Sequence, residues 1–111
     1  MKTLKISFIF IFVSVLAFQS CKKNDETPKD TTAPVITLNG NNPFTLSIDS
    51  TYTEPGFSAI DETDGDITVN VSTTNNINKN VVGTYYVKYN ISDAAGNKAT
   101  EATRTVLVKI L

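Results

Sequence analysis

After residue 34, apolar and polar residues alternate in short runs separated by Gly, Asn and Pro. Val35-Ile36-Thr37-Leu38 is a brief β-branched segment, and Asn39-Gly40-Asn41-Asn42-Pro43 ends it as a turn. Phe44, Leu46 and Ile48 then alternate with Thr45 and Ser47, the period of a strand with one buried face. Ile67, Val69 and Val71 repeat that pattern around Thr68 and Asn70. The clearest alternation sets Tyr85, Val87, Tyr89 and Ile91 against Tyr86, Lys88, Asn90 and Ser92. The last strand carries Val106, Val108 and Ile110 on one side, with Thr103 and Thr105 opposite. Arg104 continues the apolar side, which predicts a place at the wet edge where its stem can snorkel. No stretch after residue 34 has amphipathic helical spacing. Many short strands with regular turns predict an all-β sandwich whose two sheets share one apolar layer.

Turn chemistry supports this division. Glu54-Pro55-Gly56 and Asp64-Gly65-Asp66 suit turns, with Pro55 fixing φ and Gly56 and Gly65 free to take positive φ. Ser92 to Lys98 reads as a tight loop between strands. There Gly96 takes the left-handed conformation, and Asn97 can share that duty.

The first residues follow another pattern. Lys2 and Lys5 precede an apolar run from Ile6 to Phe18, interrupted only by Ser7 and Ser14. That run is short for a membrane span, which needs roughly 20 residues, and has the flanks of a secretory signal. Cys21 is the only cysteine and closes the run, so it is poor material for a disulfide framework. Residues 1–20 read as a lipoprotein signal peptide. Residues 21–34 read as a flexible polar linker, and residues 35–111 as one small domain with a modest core.

Composition narrows the function. The chain has no histidine, and ten Lys and Arg stand against eleven Asp and Glu. Loss of residues 1–20, with Lys2 and Lys5, takes the net charge from −1 to −3. That balance argues against nucleic acid as a partner, which rewards a basic patch. Without His, and with no Cys beyond Cys21, the domain supplies no Ser-His or Cys-His pair. Paired carboxylates on one short turn are poorly placed to wall a glycosidase cleft. The expectation is therefore a protein that is not an enzyme and has no cofactor.

Val15-Leu16-Ala17-Phe18-Gln19-Ser20-Cys21 resembles the lipobox of bacterial lipoproteins, and Lys22-Lys23-Asn24-Asp25-Glu26 is similar to the charged stretch of Bacteroidota lipoproteins. The resemblance implies cleavage before Cys21, lipidation of its sulfur, and a lipid anchor in the outer membrane. It leaves open whether the domain faces outward or into the periplasm.

The domain itself carries three ordered signatures. Tyr52-Thr53-Glu54-Pro55-Gly56-Phe57-Ser58-Ala59-Ile60-Asp61 comes first, and Asp64-Gly65-Asp66-Ile67-Thr68 second. Gly83-Thr84-Tyr85-Tyr86-Val87-Lys88-Tyr89, followed by Asp93-Ala94-Ala95-Gly96-Asn97, comes third. They resemble the bacterial surface immunoglobulin-like domain, found also in pesticidal crystal proteins and related to hyalin-repeat domains. The resemblance implies an immunoglobulin-like sandwich of about seven strands, used as a spacer or adhesion module.

Two places could carry binding chemistry. Asp61, Glu62, Asp64 and Asp66 put four carboxylates in six residues, and Asp93 lies in a loop able to reach the same end. Oxygen donors in a loop are what calcium needs, but the spacing does not fit an EF-hand. Turn capping and solubility are the expected roles, with no metal; Asp61, Asp64, Asp66 and Asp93 are the calcium candidates. Tyr52 and Tyr86 are the candidate contact surface for an envelope protein or a glycan. The chain then reads as a non-catalytic interaction or adhesion module of the cell envelope. The alternative is a structural accessory subunit of a larger surface assembly. A solvent-facing Tyr grouped with Thr on one sheet would favour the first, and an edge strand completed by another chain the second.

Overall fold

Seven strands form, most of them where short alternating runs are bounded by turn residues. A computed structural model of the chain describes residues 27–111. The strands are β1 (Val35–Leu38), β2 (Phe44–Ser47), β3 (Phe57–Asp61), β4 (Gly65–Asp66), β5 (Ser72–Asn75), β6 (Gly83–Asn90) and β7 (Ala102–Lys109). They build one sheet in the order β1-β3-β4 and another in the order β2-β7-β6-β5. β2 runs parallel to β7, and the other pairings are antiparallel. The result is an all-β, immunoglobulin-like sandwich. Among the described residues, no helix is long and apolar enough to cross a membrane.

The main core joins Leu46, Val87, Tyr89, Val106 and Val108 with half-buried Ile36, Leu38, Phe44 and Phe57. A smaller cluster of Ala59, Ile91 and Ala99 packs with Ile67 and Val71. The inward set expected on β6 is present, with Tyr85 half-buried and Val87, Tyr89 and Ile91 buried. Pairing Tyr85 with Val106 and Gly83 with Val108 lays two apolar rows side by side.

Three expectations need correction. Ile67 to Val71 is not a strand, because Thr68–Asn70 winds into a single 3-10 turn. The cause is local. Asp66 Oδ1 accepts both the Thr68 backbone N–H (3.0 Å) and its hydroxyl (2.6 Å), which competes with extended pairing. Val69 therefore points to solvent, 92% exposed. Ile110 is also exposed rather than inward. β7 ends at Lys109 opposite Ser47, so neither neighbouring strand reaches Ile110.

Arg104 is the third. It is fully buried opposite Val87, not at a wet edge. Its guanidinium donates to Asn41 O (2.7 Å), Gly56 O (3.0 Å), Tyr89 Oη (3.2 Å) and Glu54 Oε1 (3.1 Å). Glu54 also accepts the hydroxyls of Tyr52 (3.0 Å) and Tyr89 (2.6 Å) and the Gly56 N–H (2.9 Å). Paired, and with an acceptor for each guanidinium nitrogen, the charge can sit inside; unpaired it could not. The cluster ties the loops before β2 and β3 to β6 and β7.

Candidate functional site

Two surfaces of the sandwich carry unusual chemistry. The first is the outer face of the four-stranded sheet. In an antiparallel pair, side chains directly opposite share a face. Tyr86 stands opposite Thr105, Lys88 opposite Thr103 and Thr74, and Thr84 opposite Leu107. Tyr86 is 43% exposed and, with Thr74, Asn75, Asn76 and Lys88, lines an open hollow of about 270 Å³. A solvent-facing Tyr is thus grouped with Thr on this sheet. Tyr52 does not join it. Its ring packs edge-on against Phe44 at 5.2 Å and its hydroxyl donates to Glu54, so it is a structural residue. Burial, with the neighbouring Tyr89 hydroxyl and the Glu54 carboxylate, pushes its phenol far above the usual range.

The second is one end of the sandwich, where the β3–β4 turn meets the loop after β6. Asp61 ends β3 and is 2% exposed. Its Oδ2 accepts the N–H groups of Thr63 (2.9 Å) and Asp64 (2.8 Å), closing the turn. Asp93, 7% exposed, accepts the Asn97 N–H and the Asn97 Nδ2, each at 2.8 Å. Burial opposes its charge, but these hydrogen bonds hold its carboxyl below the ordinary carboxylate range. Asp64 spans the two loops by accepting the Ala94 N–H at 2.8 Å. Asp66 caps Thr68, whose side-chain and backbone donors hold its carboxyl low.

The four sequence candidates therefore separate. Asp64 and Asp66 are exposed, Asp64 in the β3–β4 turn and Asp66 at the end of β4. Asp61 and Asp93 cap turns too, but they are buried, so solubility is not their role. They meet a third carboxylate, Asp30, and one oxygen of each lies within 4.8 Å of the other two. Among the described residues, Asp61 Oδ1 and Asp30 Oδ2 are buried without a hydrogen-bond partner.

Asp30 lies in the stretch expected to be a flexible linker. Its end is held: Asn97 Nδ2 donates to Asp30 O (3.0 Å) and Thr32 O (3.3 Å), and Pro34 is buried. Nothing in that polar run of sequence singles Asp30 out. Asn97 does not take a left-handed backbone; its work is done by the side chain. Gly96 does, at φ +94°, and Gly56 and Gly65 likewise have positive φ. Pro55 packs over Gly40, another positive-φ residue. Cys21 lies outside the described residues.

Residues 36–108 match the family described as bacterial surface protein, Ig-like domain. The chain belongs to that family. By structure, this Ig-like protein is similar to the lipoprotein BT2262 from Bacteroides thetaiotaomicron, with a TM-score of 0.59 and 26% identity. That match covers 69% of this chain and 38% of the lipoprotein. It is also similar to the structure of CBM51-2 in complex with GlcNAc and INT domains from Clostridium perfringens ZmpB, with a TM-score of 0.57 and 29% identity. The likeness covers 70% of this chain and 17% of that one. A third likeness is to the ZmpB M60 catalytic domain with its CBM51-1 and CBM51-2 domains, with a TM-score of 0.55 and 26% identity. It covers 70% of this chain and 8% of that one. The chain thus spans well under half of each of these structures. No curated protein is similar to it by sequence. The family and the lipoprotein neighbour associate the Ig-like protein with the bacterial cell envelope.

Proposed function

We propose that this Ig-like protein is a non-catalytic interaction module of the cell envelope, acting in adhesion through the outer face of its four-stranded sheet. The observation that carries the reading is the exposed Tyr86 among Thr84, Thr103, Thr105, Lys88 and Thr74. A flat aromatic ring supplies contact area, and hydroxyls and an ammonium supply orienting hydrogen bonds, a combination suited to a glycan or a polar protein surface. Strand pairing holds these side chains in register, so little ordering is needed on binding. Completion of an edge by another chain is less well supported, since the four edge strands are short: β1, β2 and β5 have four residues each and β4 has two. The structure similar to this one that contains GlcNAc-bound CBM51-2 makes amino-sugar glycans the first ligands to try.

Tyr86→Ala should lower binding to purified envelope polysaccharide or envelope protein at least tenfold without changing the unfolding midpoint. Unchanged binding to every envelope fraction that the wild type recognises would remove the sheet face as the contact surface. Anchoring to the outer membrane through Cys21 belongs to the same reading. Cys21→Ser should abolish partition into detergent phase, and a mature N-terminus other than a lipidated Cys21 by mass spectrometry would refute it.

A further inference from the structure

We propose that Asp30, Asp61 and Asp93 form a calcium site that fastens the segment leading into the sandwich to its loop end. Three carboxylates that approach within 4.8 Å repel one another unless a proton or a cation lies between them. No cationic side chain does this among the described residues, where the ion pair is Arg104 with Glu54. The hydrogen-bond pattern points the same way. Asp61 Oδ2 is saturated by two turn N–H groups, while Oδ1 has no donor in a residue only 2% exposed. Asp30 repeats the arrangement, with Oδ1 accepting the Thr32 N–H at 3.0 Å and Oδ2 buried without a donor. A buried carboxylate oxygen left without a partner is costly, and a bound cation removes that cost.

The donor set selects the ion. All three ligands are oxygens, and the chain has no His and no Cys beyond Cys21, which favours a hard cation over zinc or copper. Calcium accepts six to eight oxygens in irregular geometry, so it can complete its shell with water around three carboxylates. Magnesium demands a near-ideal octahedron and sheds water reluctantly. Calcium modules outside the cell commonly work at dissociation constants of about 0.1–1 mM.

The site would also have a mechanical consequence. Asp61 belongs to β3, Asp93 to the loop after β6, and Asp30 to the segment before β1. An ion shared among them links both sheets and fixes the direction in which the chain enters the domain.

The test is thermal unfolding and calorimetric titration of the full chain in detergent, with calcium, magnesium or a chelator. With calcium about a hundredfold above its dissociation constant, the midpoint should rise by about 10 °C or more, with one ion per chain. Magnesium should give less than half that rise. Asp30→Asn and Asp61→Asn should each remove most of it, and Asp66→Asn, which alters only the Thr68 cap, should keep it. Calcium should also slow proteolysis around Thr31 and Thr32 in the wild type and not in Asp30→Asn. If Asp61→Asn fails to fold, Asp30→Asn and the wild-type titration still decide. No calcium response in the wild type overturns the proposal, as does a response retained by both variants. A chelator-insensitive wild type that Asp61→Asn stabilises at neutral pH would assign the cluster to a shared proton instead.

Discussion

Glu54→Ala would remove four hydrogen bonds at once: those from Tyr52, Tyr89, Gly56 and Arg104. Arg104 would keep Asn41 O, Gly56 O and Tyr89 Oη, but its positive charge would lose its counter-ion at a fully buried position. Breaking a buried pair from one side typically costs about 3–5 kcal/mol. The Glu54 side chain is 31% exposed, so water can reach the vacated space, and the lower end, about 3 kcal/mol, is expected. A domain of this size has roughly 4–13 kcal/mol in total, so the loss is a large share. Urea unfolding of wild type and variant would measure it, and the thermal midpoint should fall by about 10–20 °C. The companion variant is Arg104→Met. Alone it strands the Asn41 and Gly56 carbonyls and costs about 2–4 kcal/mol. Combined with Glu54→Ala it should cost far less than the two losses added, because the second change removes the charge that the first left unpaired. A Glu54→Ala loss below about 1 kcal/mol, or additive losses in the double variant, would refute a pair that holds these loops.

Val87→Ala should cost about 1–3 kcal/mol in urea unfolding, since Val87 is buried in the main core; an unchanged midpoint would place it outside that core. Gly96→Val should destabilise by about 1–2 kcal/mol more than Ala94→Val. At Gly96 an added Cβ meets nothing within 4 Å, so backbone strain at φ +94° acts alone, and equal tolerance of both changes would count against that conformation. Stability should also be widest between about pH 4.5 and 10. Burial opposes ionisation of Glu54, yet hydrogen bonds from Tyr89, Gly56 and Tyr52 and the Arg104 charge lower its pKa, so its contribution is present above 4.5 and lost as the pH falls below that. Burial and the Glu54 carboxylate raise Tyr52 and Tyr89, so their contribution is full below 10 and lost as the pH rises beyond it. Glu54→Gln should flatten the acid side of the profile, and an unchanged acid limb would contradict the assignment.

The strands with strict alternation were legible because period two has one interpretation when turn residues bound it. β6 and the Val106–Val108 part of β7 are examples. Ile67 to Val71 misled because its alternation is real but Asp66 and Thr68 satisfy backbone groups locally. β5 gave no signal, since Ser72-Thr73-Thr74-Asn75 is polar throughout and exists by pairing with β6. The phase of β7 did place Arg104 inward. What the sequence could not show is that Glu54, fifty residues earlier, folds over to neutralise it. The candidate sites divide in the same way. Asp61 and Asp93 stand out beside turns that each carry a glycine, and Tyr86 by its phase. Asp30 sits in a polar run where only the fold shows that Asn97 draws it in.

In vivo photocrosslinking from defined positions tests the interaction reading most directly. A benzophenone side chain would replace Tyr86 or Thr105 on the outer face of the four-stranded sheet. It would replace Val35 or Ile60, both exposed, on the other sheet. The account predicts that crosslinks to an envelope glycan or protein concentrate at positions 86 and 105 and are scarce at 35 and 60. Crosslinks concentrated at 35 and 60, or spread evenly over all four, would contradict it.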